Sequence, residues 1–164
     1  MGIKNILTYG CLISVLSLSN IYADNLGGIK KIMAKHSKKC MDVNGASKKN
    51  FANVFQYNCQ QGDNQLFSLV KNINDFFTIK VIHSDKCLEI INGDKNNLGN
   101  LVQNQCNGSL NQQLRITRYD TYYYTISARH SKKCLDVKGS KKSDGSNIIQ
   151  YTCTDGNNQL WSFK

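Results

Sequence analysis

Beyond residue 18 the chain has no apolar run approaching the roughly 20 residues that a helix needs to cross a bilayer, so no internal membrane span is expected. It has no Gly-x-Ser-x-Gly elbow, and none of its cysteines shows the close C-x₂₋₄-C spacing of structural zinc sites. No recognisable nucleic-acid motif occurs, and no segment carries a convincing helical period. Acidic residues are scarce: 11 Asp and Glu stand against 21 Lys and Arg, a formal charge of +10. Lysine pairs recur at Lys30-Lys31, Lys38-Lys39, Lys48-Lys49, Lys132-Lys133 and Lys141-Lys142. The plain reading is a solvated lysine-rich surface. The sharper one is attraction to anionic cell-surface polymers.

The apolar stretch that does exist lies at the start. Residues 1–23 combine Lys4, an apolar run over residues 6–18 and a small residue, Ala23, closing Ile21-Tyr22-Ala23. This is the pattern of a secretory signal peptide cleaved after Ala23. The run is too short for a spanning helix. Residues 24–28 then form a short polar lead. Cleavage removes Lys4 and Cys11, so the charge of +10 falls to +9 and the seven cysteines become six. An exported chain with an even cysteine count is expected to form disulfides and to work outside the cell or at its surface.

What the chain has in abundance is repetition. Ala34-Lys35-His36-Ser37-Lys38-Lys39-Cys40-Met41-Asp42-Val43 returns at residues 81–90 and again at 128–137, each copy starting 47 residues after the last. Asn64-Gln65-Leu66-Phe67 keeps the same step, as Asn111-Gln112-Gln113-Leu114 and Asn158-Gln159-Leu160-Trp161. A second cysteine follows the first by 19 residues each time. Six cysteines allow 15 pairings. The threefold pattern selects Cys40–Cys59, Cys87–Cys106 and Cys134–Cys153, since any other set gives equivalent copies unequal bonds. Loop-closure entropy makes each bridge worth roughly 3 kcal/mol.

The copies span about residues 29–70, 76–117 and 123–164, and joins this short imply one compact body. Each copy offers four short strands. The first, at 30–34, 77–81 and 124–128, places Ile32, Ile79 and Ile126 two residues before Ala34, Val81 and Ala128, an apolar face at period two. The second follows the first cysteine. The third covers 54–57, 101–104 and 148–151, and the fourth starts at Gln65, Gln112 and Gln159. Twelve strands make an all-β body. Three units are too few for a propeller, and neither end looks like a solenoid cap. Closure about a pseudo-threefold axis leaves no long edge, which predicts a β-trefoil.

With a Cys-Leu-Asp-Val segment, a Tyr-x-Cys strand and a Gln-x-Trp strand at fixed step, residues 29–164 resemble the ricin-type lectin domain. Gln159-Leu160-Trp161 is the full Gln-x-Trp motif, Gln65-Leu66-Phe67 a mild variant and Gln112-Gln113-Leu114 a weaker one. The resemblance implies glycan partners and sugar pockets built from a carboxylate, an aromatic ring and an amide. Charge-assisted bonds run from sugar hydroxyls to the acid, and the ring covers the apolar face of the sugar. In this chain those residues are Asp42, Tyr57 and Asn64, then Asp136, Tyr151 and Asn158. Gln65 and Gln159 are expected to support them by satisfying backbone groups near the core. The competing reading makes the tyrosines core aromatics and the aspartates structural turn residues. Asn104 at the tyrosine position argues for exposure, because burying an unpartnered amide costs a few kcal/mol.

Copy two departs, with Glu89, Asn104 and Asn111, and is expected to be silent or weaker. Phe55 and Ile149 stand where many of these lectins carry glutamine, which bears on sugar identity; galactose-type sugars are what the resemblance implies. His36, His83 and His130 raise a metal reading, but polar turn residues explain them, and no metal or cofactor is expected. Catalysis is not expected either. A glycosidase needs two carboxyl groups flanking one bond, and Asp42 and Asp136 belong to equivalent places in different copies. An adhesive or coat protein binding anionic polysaccharide, and the cell-binding subunit of a toxin, remain as alternatives. Asn107-Gly108-Ser109 is a glycosylation sequon where the secretion route is eukaryotic.

Overall fold

The computed structural model describes residues 26–164; the expected signal peptide and the first two residues of the polar lead lie outside the described residues. The rest of the lead is not simply polar, since Leu26 is buried in the core and Gly28 opens the first strand. Lobe one contributes β1 (Gly28–Lys30), β2 (Ile32–Ala34), β3 (Cys40–Val43), β4 (Ala52–Tyr57) and β5 (Phe67–Lys71). Lobe two contributes β6 (Phe77–Val81), β7 (Cys87–Ile90), β8 (Leu101–Asn104) and β9 (Leu114–Arg118). Lobe three contributes β10 (Tyr124–Ala128), β11 (Cys134–Val137), β12 (Ser146–Tyr151) and β13 (Leu160–Phe163). The only helical elements among the described residues are three-residue 3-10 turns, so none is long and apolar enough to cross a membrane.

The twelve expected segments appear as thirteen strands because the first is divided at Lys31. Gly28–Lys30 pairs with β5, whereas Ile32–Ala34 pairs with β13. At the break, the Lys31 and Lys164 backbones bond each other in both directions, at 2.7 and 3.0 Å. Lobes two and three span the same two partners with one unbroken strand, β6 between β5 and β9, and β10 between β9 and β13. The first and fourth strands thereby close into an antiparallel ring. The hairpins β3–β4, β7–β8 and β11–β12 pair with one another through β4, which meets both β8 and β12. This is a β-trefoil.

The core repeats with the sequence. Ile32, Ile79 and Ile126 form one fully buried set; Met41, Leu88 and Leu135 form a second, and Val54, Leu101 and Ile148 a third. Phe67, Leu114 and Trp161 share a buried layer, and the Trp161 indole N–H donates to the Leu135 carbonyl at 3.2 Å. Differing side-chain sizes at one threefold position show that the lobes share a buried layer rather than a residue. Disulfides join Cys40–Cys59, Cys87–Cys106 and Cys134–Cys153, each within a lobe.

The lobes are clamped to one another by polar side chains. Gln56, Gln103 and Gln150 are fully buried. The Gln103 amide donates to the Ser47 and Lys49 carbonyls at 2.7 and 2.9 Å, and its oxygen accepts from Ser84 at 2.8 Å. Gln56 holds the Lys141 and Ser143 carbonyls, and Gln150 those of Asp94 and Asn96. The histidines close the same junctions. Nε2 of His36, His83 and His130 faces the Lys141, Ser47 and Asp94 carbonyls at 2.9, 2.9 and 2.7 Å. A carbonyl only accepts, so the proton sits on Nε2. These histidines are turn residues by position and bridges by contact. Gln103→Ala empties a fully buried side-chain position, leaving the Ser47 carbonyl with His83 alone and taking this donor from the Lys49 carbonyl. It is expected to cost about 2–3 kcal/mol in denaturant unfolding.

Candidate functional site

Hairpin register gathers the predicted residues. In β3–β4, Cys40 lies opposite Tyr57 and Asp42 opposite Phe55. Directly opposed residues share a face, and so do residues two apart. Asp42, Phe55 and Tyr57 therefore stand on one side of the hairpin, with Met41 and Gln56 on the other. The register of β11–β12 repeats this for Asp136, Ile149 and Tyr151. Beyond each carboxylate strand the chain turns sharply through left-handed residues Gly45, Asn92 and Gly139, at φ 58°, 54° and 66°. Glycine takes that conformation freely, and asparagine is among the residues that tolerate it best.

The amide comes from a different element. Asn64 and Gln65 sit on the 3-10 turn Asp63–Gln65, so Gln65 precedes the fourth strand rather than opening it. The reason is its side chain, which does the work of a ladder. Its oxygen accepts from the Gln60 N–H at 2.7 Å, and its Nε2 donates to the Asn58 carbonyl at 2.9 Å and to Asp42 Oδ2 at 2.7 Å. Asn64 Nδ2 donates to Asp42 Oδ1 at 2.9 Å. Lobe three is similar, with one difference. Asn158 and Gln159 both donate to Asp136 Oδ2 at 2.8 Å, leaving Oδ1 without a protein donor among the described residues.

Asp42 and Asp136 are each 5% exposed. Burial raises both carboxyl pKa values above the ordinary 3.8. Bonds from Gln65 and Asn64, with the charge of His83, pull Asp42 back; Gln159, Asn158 and His36 do so for Asp136. Each pocket thus holds a nearly dry acid whose amide bonds leave lone pairs for a further donor. Tyr57 is half-buried, its ring centroid 6.0 Å from that of Phe55, and Tyr151 is 38% exposed. Neither ring belongs to the core.

Lobe two is arranged differently. Gln112 donates to Glu89 Oε2 at 2.8 Å, and Asn104 Nδ2 donates to Oε1 at 3.1 Å, so the second amide on the acid comes from the ring position, which offers no aromatic face. Asn111 does not reach Glu89. Its Nδ2 bonds the Ile90 carbonyl at 2.9 Å, and its oxygen accepts from Ser109 Oγ at 2.6 Å. The positions of Ser109 in lobes one and three are Gly62 and Gly156. A Cβ on Gly156 would lie 2.7 Å from Asn158 Oδ1, and one on Gly62 would press on Asn64 Oδ1 likewise. Glycine makes room for the asparagine to meet the carboxylate, a role the reading of the sequence missed. Its signal was the 47-residue step itself.

The chain matches the family described as ricin-type beta-trefoil lectin domain-like, over residues 20–104, 71–151 and 110–164. It belongs to the ricin-type β-trefoil lectin family. Among solved structures it is similar to ThreeFoil, a designed threefold-symmetric protein: 39% identity, 82% of this chain, 96% of that one, TM-score 0.81. It is also similar to an exo-beta-1,3-galactanase from Clostridium thermocellum, 1,3Gal43A, at 31% identity and TM-score 0.80. That match covers 82% of this chain and 29% of the enzyme. The ricin B-like lectin of Macrolepiota procera, solved with lactose, shares the fold at 19% identity and TM-score 0.73, over 84% and 95% of the two chains. No curated protein matches the chain in sequence.

Proposed function

We propose that this ricin-type lectin is a secreted carbohydrate-binding protein with two working pockets, Asp42/Tyr57/Asn64 and Asp136/Tyr151/Asn158, and a silent lobe two. The observation that carries the reading is a carboxylate held by two amides beside an uncommitted ring, built twice, whereas in lobe two the ring is replaced by an asparagine bonded to the acid. The acid takes two adjacent sugar hydroxyls, the ring covers the C–H face, and the asparagine orients both. The family and the sugar complexes among its structural neighbours support carbohydrate as the ligand. Galactose-type sugars are the class to try first. No catalytic role is assigned, because the two acids stand in separate hairpins.

A single pocket of one acid, one ring and one amide is expected to bind weakly, so attachment to a cell surface relies on engaging both. Bivalency of this kind gains on the order of 10²–10⁴ over a single site. Calorimetric titration with lactose is expected to give two sites per chain, with a glycan array ranking other sugars. A stoichiometry of one or three, or no saccharide binding anywhere on the array, overturns the assignment.

A further inference from the structure

A second kind of site lies where β9 and the start of β6 meet the turn between β10 and β11. Phe76, just ahead of β6, is buried, and three cations converge on its ring. Arg115 of β9 stands 4.5 Å from the ring centroid, Arg129 4.7 Å and Lys132 6.0 Å. None of the three forms an ion pair among the described residues. Asp75, next to Phe76 in the chain, is paired with Lys71 at 3.2 Å. Like charges gathered this closely repel, and an anion relieves them.

The chain contains a neutralised, two-cation version of the arrangement, with Ser162 at the counterpart of Arg115. One lobe on, Tyr123 stands where Phe76 does, and Lys35 and Lys38 stand where Arg129 and Lys132 do. These lysines lie 4.6 and 5.3 Å from the Tyr123 centroid. There the protein supplies its own anion: Asp120 Oδ2 lies 3.8 Å from Lys35 Nζ. The counterpart of Asp120 beside the Phe76 cluster is Ile73, 85% exposed and unable to neutralise anything. In lobe one the pattern is absent, with Ile29, Ile82 and Asp85 at the corresponding places. One cluster is closed by its own carboxylate, and its sister is open.

We infer that Arg115, Arg129 and Lys132 around Phe76 bind the oxyanion of an acidic saccharide, a sulfate ester or a uronate carboxylate, at a site distinct from the neutral-sugar pockets. Guanidinium forks suit the planar or tetrahedral oxygens of such groups. Arg129 is already aimed: its Nη1 donates to Gln113 Oε1, and Gln113 is tied in turn to the Gly108 carbonyl at 2.7 Å. An anion therefore meets a partly organised receptor rather than a mobile lysine coat.

The test compares Arg115→Gln/Lys132→Gln with Lys48→Gln/Lys49→Gln, which removes the same charge from an exposed turn. Arg129 is left in place because it also holds Gln113. A heparin-derived hexasaccharide, a hyaluronan hexasaccharide carrying only carboxylates, and lactose serve as probes. The first variant is expected to lose roughly tenfold or more in affinity for the sulfated probe, and the control less than about twofold. Heparin should also shift the Phe76 ring and Arg129 Nε–H resonances. A tenfold loss with hyaluronan too assigns the site to oxyanions generally, whereas loss with heparin alone assigns it to sulfate. Equal losses in the two variants, shifts confined to other lysines, or no heparin binding overturn the inference. Lactose titration is independent: its failure removes the neutral pockets and leaves this site standing.

Discussion

Asp42→Ala combined with Asp136→Ala is expected to abolish lactose binding while the chain stays folded. Each acid offers charge-assisted bonds worth about 1.5–3 kcal/mol apiece, so losing it costs an already weak site on the order of a hundredfold or more. The fold survives because the supporting amides keep other partners. Gln65 retains the Asn58 carbonyl and Asn64 the Val43 carbonyl, while Gln159 retains that of Thr152 and Asn158 that of Val137. Either single variant should leave one working site. Retention of two sites in the double variant would show that the acids do not hold the sugar.

The same acids set the pH dependence, and binding and stability move in opposite directions. Burial raises the carboxyl pKa of Asp42 and Asp136 in the folded chain above the unfolded value. A group raised in this way contributes stability below its unfolded pKa and loses that contribution as pH rises through the folded one. Sugar hydroxyls need the ionised form, so affinity falls as pH drops through the raised values. Lactose titrations and melting curves between about pH 7 and about pH 4 should show affinity lost before any melting transition moves down. Parallel loss of both would point to acid unfolding instead.

The trefoil was legible because it is written three times. Fixed spacing makes Ile32, Ile79 and Ile126 one core position. The site was only partly legible. Asp42 and Tyr57 sit at set distances from the disulfide cysteines, and strand register carries that spacing into a shared face. What the spacing could not give is which amide holds which oxygen. That depends on 3-10 turns whose geometry comes from side-chain-to-backbone bonds made by Gln65, Gln112 and Gln159. Such bonds leave no mark in the strand alternation, so Gln65 read as the start of a strand. The lobe clamps were hidden for another reason. Gln56 is a polar residue in an otherwise apolar alternation, and its partners lie 85 and 87 residues away. The lysines read as a uniform coat until folding set Lys35 beside Asp120 and left Lys132 without an acid partner among the described residues.

Glu89→Asp, Asn104→Tyr and Ser109→Gly together are expected to convert lobe two into a third sugar site, raising lactose stoichiometry from two to three. Each change undoes one observed obstruction. Asn104→Tyr withdraws the amide that occupies Glu89 Oε1 and supplies a stacking face. Ser109→Gly removes the hydroxyl that holds the Asn111 oxygen and clears the space its Cβ fills, freeing Asn111 to turn toward the acid. Glu89→Asp shortens the arm by one methylene, to the length at which Gln65 and Asn64 meet Asp42. Gln112 is already in position, because it makes the same contacts as Gln65 and Gln159: an acid oxygen, a carbonyl at 2.8 Å and a backbone N–H at 2.9 Å. Omitting Ser109→Gly should leave the new site markedly weaker, since the asparagine then stays tied to the serine. A triple variant that folds, keeps its first two sites and gains none would show that the pocket needs more than the acid, ring and amide assigned to it.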